Sequence, residues 1–166
     1  MSRLPVLLPF LLFAATLAFA GASNSTREAK PHRYVNVATH FAELPFTDAV
    51  LAGDTLYVSG RIGLDPQTRK VPAAIEDEVH LLMDAVKASV TEANLTMDDV
   101  VNVTIYCPDL TLYDRFNAVY KTYFTAGRYP ARAFIGSGPL LFGGHFEITA
   151  IAVRQATPAK ATGKKK

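Results

Sequence analysis

Tryptophan is absent from this 166-residue chain, and cysteine occurs once. A lone cysteine excludes an intramolecular disulfide, so burial alone must hold the fold. Cys107 closes an apolar run and reads as a small buried hydrophobe rather than a nucleophile. Histidine is scarce too. His32, His40, His80 and His145 show no metal-ligand spacing, so no metal site is expected. Charged residues make up only 19% of the chain, with a formal net charge of +2. Four of the cations, Lys160, Lys164, Lys165 and Lys166, sit at the extreme C-terminus, which leaves the body slightly acidic. A nucleic-acid groove needs clustered Lys and Arg, so no nucleic-acid partner is expected. No internal repeat of solenoid length is visible.

Hydrophobic residues, by contrast, are 49% of the chain, a globular balance at a length that suits one domain. Residues 1–20 carry one early cation, Arg3, then an apolar run from Leu4 to Ala20 that ends in Ala18-Phe19-Ala20. That is the form of a cleaved signal peptide, which predicts a periplasmic or secreted protein with no stable membrane span after cleavage. A run of about 17 residues also lies at the lower edge of a membrane anchor, the alternative reading. Residues 21–32 read as a flexible lead, 33–156 as the folded domain and 157–166 as a basic tail.

Within the domain, strands are expected over Arg33–His40, Phe46–Leu51, Thr55–Ser59, Val100–Tyr106, Ala131–Gly136 and Phe146–Val153. Ile75, Val79, Leu82, Val86 and Val90 recur with helical spacing, so a helix is expected from Ile75 to Asn94. A second is expected over Thr111–Ala126, with Tyr113, Phe116, Val119, Tyr120, Tyr123 and Phe124 as a broad apolar face. The order β-β-β-α-β-α-β-β predicts an α+β domain, two helices against one sheet. In the last strand Ile148, Ala150 and Ala152 point one way, and Glu147, Thr149, Ile151 and Val153 the other. Two helices cover one face. The face with Ile151 and Val153 stays open, and an apolar patch of that kind predicts an oligomer.

Two charges lie in apolar strand contexts: Arg132, within Pro130-Ala131-Arg132-Ala133-Phe134, and Glu147, between Phe146 and Ile148. If the last two strands form a hairpin, the two side chains come together. They then form either a buried structural pair or a site in which Arg132 holds a carboxylate and Glu147 handles a proton or a water. Asn117 lies beside Phe116 on the aromatic helix, either as exposed polarity or as a site residue. Ser59-Gly60-Arg61 follows the third strand, where Gly60 suggests a close backbone approach.

At these positions the sequence resembles the RidA (YjgF) family of reactive-intermediate, or 2-iminopropanoate, deaminases. The resemblance runs from about Phe46 to Arg154. It rests on Asp48-Ala49-Val50, Gly53-Asp54-Thr55-Leu56-Tyr57-Val58-Ser59-Gly60, Ile62-Gly63-Leu64-Asp65-Pro66, Phe116-Asn117 with Tyr120 and Phe124, Pro130-Ala131-Arg132 and the run from Glu147 to Arg154. It implies a chorismate-mutase-like mixed sheet with two helices on one face, assembled as a homotrimer with clefts between subunits. It implies hydrolysis of enamines or 2-imino acids to 2-keto acids and ammonia, without metal or organic cofactor. Arg132 and Glu147 are then catalytic, with Asn117, Phe46, Gly60, Arg61 and Phe134 lining the substrate site. The alternative reading is a non-catalytic small-molecule-binding or chaperone-like trimer; an endoribonuclease or translation inhibitor, an activity attributed to some members of that family, is disfavoured by the weak charge of the body. Phe46 stands where the family often has Tyr, Arg61 where Gln is common, and Ala133-Phe134 where Ser-Cys or Ser-Thr is usual.

Overall fold

The computed structural model describes residues 31–155. The expected signal segment, nearly all of the lead and the basic tail lie outside the described residues.

The longest helical period produces the longest helix. In α1 (Ile75–Glu92) the side chains of Ile75, Val79, Leu82, Met83, Val86 and Val90 form one buried stripe. Glu76, Asp77 and Glu78 occupy its first turn, where the unpaired N–H groups favour negative charge. Asn94 ends it in the left-handed region at φ 57°, and the Leu95 N–H donates back to the Val90 carbonyl. The second helix is shorter than its apolar pattern suggests. Only α2 (Tyr113–Tyr120) is α-helical, and single 3-10 turns flank it at Leu110–Leu112 and Lys121–Tyr123.

Six strands form one mixed sheet: β1 (Arg33–Val35), β2 (Ala49–Ala52), β3 (Thr55–Ile62), β4 (Val100–Cys107), β5 (Ala131–Gly136) and β6 (Glu147–Val153). Their order is β1-β2-β3-β6-β4-β5. The expected α+β architecture is therefore observed. The expected hairpin of the last two strands is not, because β4 lies between β5 and β6 and pairs parallel with β5 and antiparallel with β6. The reason is the crossover: α2 carries the chain back to the start of β5, which sets β5 parallel beside β4 on the sheet edge. The ends also shift. β1 stops at Val35 because Asn36 turns its side chain onto the Asp48 N–H, and β3 runs on to Ile62 through a bulge between Val58 and Arg61.

The face assignment of β6 holds: Ile148, Ala150 and Ala152 are buried against the helices. On β4 the buried set is Val100, Val103, Ile105 and Cys107, while Val101 is exposed. A bulge between Val100 and Asn102 shifts the alternation by one residue there. The face away from the helices carries Tyr57, which is exposed, together with Ile151 and Val153.

One buried carboxylate ties the helical layer to the segment between β5 and β6. Glu78 is fully buried; its Oε1 accepts from the His145 and Phe146 N–H groups, and its Oε2 lies 2.7 Å from His145 Nδ1. Replacing Glu78 by Ala leaves two backbone donors unpaired, at a cost of about 1–3 kcal/mol for each one that water does not reach. Chemical denaturation of Glu78→Ala is expected to show this loss, whereas Glu76→Ala, on an exposed Arg115 pair, is expected to lose no more than about 1 kcal/mol.

Candidate active site

Arg132 and Phe134 alternate onto the helix side of β5, at the sheet edge. The Arg132 guanidinium is held by α2: its Nη1 donates to Asn117 Oδ1 at 2.7 Å and its Nη2 to the Tyr113 hydroxyl at 3.1 Å. Its Cζ lies 4.8 Å from the centre of the Tyr120 ring, 5.5 Å from Tyr113 and 5.8 Å from Phe134. These rings offer their negative faces to the cation. Among the described residues no carboxylate pairs with Arg132. Two of its five donor hydrogens are engaged by neutral acceptors, and the remainder are available to an anion. A recess of about 380 Å³ opens here, lined by Tyr113, Asn117, Tyr120, Lys121, Tyr129, Pro130 and Arg132. Burial pushes the Tyr120 phenol up to about 12, against the lowering effect of Arg132, so it stays neutral. A larger groove of about 780 Å³, lined by His80, Asp84 and Tyr123 among others, contains none of the expected site residues.

Glu147 lies elsewhere. It pairs in register with Ile62 of β3 and Tyr106 of β4, on the face away from the helices. Its carboxylate sits over Gly60: a Cβ built on Gly60 would collide with Oε1 of Glu147, which is the close approach that the glycine suggested. Phe46 is exposed in the loop nearby. That loop is fixed to the Gly60 bulge by the Ser59 hydroxyl donating to the Thr47 carbonyl and the Ser59 N–H donating to the Asp48 carbonyl.

The expected Arg132–Glu147 proximity therefore fails within one chain. Arg132 stands opposite Val103 and Glu147 opposite Tyr106, three residues further along the same strand. At strand spacings this separates their Cα atoms by about 14 Å, and an odd step along β4 places them on opposite faces. The structural-pair reading falls with the hairpin. What remains are two clusters: Arg132, Asn117 and Phe134 on the helix side, and Glu147, Gly60 and Phe46 on the other.

Arg61 belongs near the second cluster, but its charge is already engaged. Its Nη1 donates to Asp48 Oδ1 at 2.6 Å, and its side chain is only 15% exposed. Asp48 also accepts from the Val37 N–H at 2.8 Å and lies 3.1 Å from His40 Nδ1. In the sequence Asp48 stands out only as part of a matching run, and its Arg61 partner, 13 residues away, is revealed by the fold. Tyr113 and Tyr120, both on the expected apolar face of the helix, touch Arg132.

Six strands, two helices on one face and an arginine at the sheet edge with no carboxylate partner among the described residues define this small α+β domain. The chain belongs to the YjgF/RidA family: the family model described as Endoribonuclease L-PSP matches residues 38–154. TdcF of Escherichia coli, named as a reactive intermediate deaminase, is 35% identical over 114 residues, covering 68% of this chain and 88% of that protein. The 2-iminobutanoate/2-iminopropanoate deaminase of the same organism is 34% identical over 113 residues, covering 67% of this chain and 88% of its own. The crystal structure of E. coli TdcF with bound serine superposes with a TM-score of 0.69 at 32% identity, covering 74% of this chain and 99% of that one.

The Asp48 cluster yields a pH prediction. Burial works to raise the Asp48 pKa, but the Val37 N–H, the Arg61 charge and the His40 and Arg61 hydrogen bonds outweigh it and hold the carboxyl below its ordinary 3.8. A depressed folded pKa contributes stability above the unfolded value that is lost as pH falls through the folded one. Thermal melts of wild type are expected to fall as pH drops below about 4, and Asp48→Asn to melt earlier at neutral pH with a flatter acid dependence.

Proposed function

We propose that this chain is an imine/enamine deaminase, hydrolysing 2-imino acids to 2-keto acids and ammonia. The observation that carries this reading is Arg132: a guanidinium oriented by two neutral acceptors and, among the described residues, without an anionic partner beside an open recess. Such a fork matches a carboxylate in a bidentate way. An imine carbon is already electrophilic, so fixing its carboxylate and presenting one water to that carbon supplies useful acceleration. Water adds to C=N to give a carbinolamine; its nitrogen is then protonated, and as the hydroxyl gives up its proton to a base the oxygen lone pair forms C=O, breaks the C–N bond and expels ammonia, leaving the 2-keto acid. Glu147, whose carboxylate has no hydrogen-bond partner among the described residues, is the group proposed to order that water and carry its proton.

The two clusters lie on opposite faces, so one chain cannot bring Arg132 and Glu147 to the same substrate. A homotrimer in which the open face of one copy meets the β5 edge of the next would join Arg132, Asn117 and Phe134 of one subunit to Glu147, Gly60 and Phe46 of another. The uncovered apolar side chains of that face support this reading. Export is proposed on residues 1–20 alone, and it directs the activity toward imino acids formed outside the cytoplasm.

The test is turnover of 2-iminopropanoate generated in situ. Arg132→Lys keeps the charge but loses the planar fork, and kcat/KM is expected to fall by about 10- to 150-fold. Glu147→Gln is expected to lower kcat more than KM. Wild-type rates in both variants would reject the assignment. Light scattering is expected to give a trimer at micromolar concentration; a stable monomer would reject the composite cleft.

A further inference from the structure

We propose that Tyr113 is the third member of the carboxylate clamp: its hydroxyl fixes the plane of the Arg132 guanidinium and offers its own proton to the same ligand carboxylate. This rests on the reading of Arg132 as the carboxylate-binding group.

Tyr113 opens α2, and Asn117 follows it one turn later, so both side chains leave the same helix face. They take hydrogens from different nitrogens of one guanidinium, at 3.1 Å and 2.7 Å. A single acceptor would leave the guanidinium free to swing about that contact; two acceptors on separate nitrogens fix its plane. The Tyr113 oxygen accepts from Arg132, so its own O–H must point away from that nitrogen. Among the described residues nothing accepts this proton. A carboxylate docked on the open donors of Arg132 is the natural acceptor, and a phenol beside Nη2 reaches it as a neutral third donor.

The ring is set independently of the hydroxyl. It packs edge-on against Phe134 at 5.0 Å and 81°, and Phe134 packs edge-on against the fully buried Phe116 at 5.4 Å. The position of the phenol oxygen is therefore inherited from the core, which makes Tyr113→Phe a clean probe that removes one oxygen and keeps the packing. With 43% of Tyr113 exposed, the recess can be reached from solvent.

The experiment is calorimetric or NMR titration of the full protein with 2-oxobutanoate, and in parallel with its neutral amide. Loss of one donor to a charged group is expected to weaken 2-oxobutanoate binding about tenfold in Tyr113→Phe, with the amide and the melting temperature unchanged. Wild-type affinity in Tyr113→Phe, with binding lost in Arg132→Ala, would overturn this inference and leave the Arg132 reading standing. Equal weakening of both probes would make Tyr113 a pocket wall and also overturn it. Unimpaired or undetectable binding in wild type and Arg132→Ala alike would overturn the Arg132 reading, and this inference with it.

Discussion

The alternation of side chains across the central sheet is the constraint on which the proposed chemistry depends. Because β4 separates β5 from β6, and because the β4 positions facing Arg132 and Glu147, Val103 and Tyr106, are an odd step of three residues apart, the two charges leave the sheet on opposite sides. A one-residue slip of β6 would undo this only by turning the whole core stripe Ile148, Ala150, Ala152 outward. The hydrophobic register that stabilises the domain is the same register that divides its two charges.

Two arginines show how similar side chains acquire different roles. Arg61 meets a carboxylate: Asp48 neutralises it in the interior and is itself satisfied by Val37 and His40. That cluster anchors the loop from Phe46 to Asp48 against the Gly60 bulge, and so sets the surroundings of Glu147. Among the described residues Arg132 meets only neutral acceptors and ring faces. Its orientation is fixed but its charge is not cancelled, the condition for binding an anion rather than serving as scaffold. Gly60 contributes by omission, since any side chain there would displace the Glu147 carboxylate.

Much of this was legible in the sequence. Helical spacing located α1 and its Asn94 terminus, and strand composition located all six strands, because these depend on periodicity over many residues. The face assignment of β6 followed from period two alone. The expected second helix exceeds α2, since Tyr123 and Phe124 continue its apolar spacing while Leu110–Leu112 and Lys121–Tyr123 fold as 3-10 turns. Strict alternation back from Val103 places Val101 on the buried face, yet it is exposed, because a bulge leaves no mark in an unbroken β-branched run. The hairpin of β5 and β6 failed for a different reason. Sequence adjacency favoured it, and only the parallel crossover through α2, a tertiary choice, placed β4 between them. The roles of Tyr113 and Asp48 were hidden because an aromatic on a helix face and an acid in a loop announce their partners only when the chain is folded.

The central claim, a site completed by two copies of the chain, is tested most directly by complementation. Arg132→Ala and Glu147→Gln subunits, each inactive when assembled alone, would be co-expressed and purified as mixed oligomers. If each cleft takes Arg132 from one subunit and Glu147 from its neighbour, random mixing restores about a quarter of wild-type imine hydrolysis per subunit. Mixed oligomers as inactive as either parent would contradict the account, because Arg132 and Glu147 would then not meet across a shared cleft.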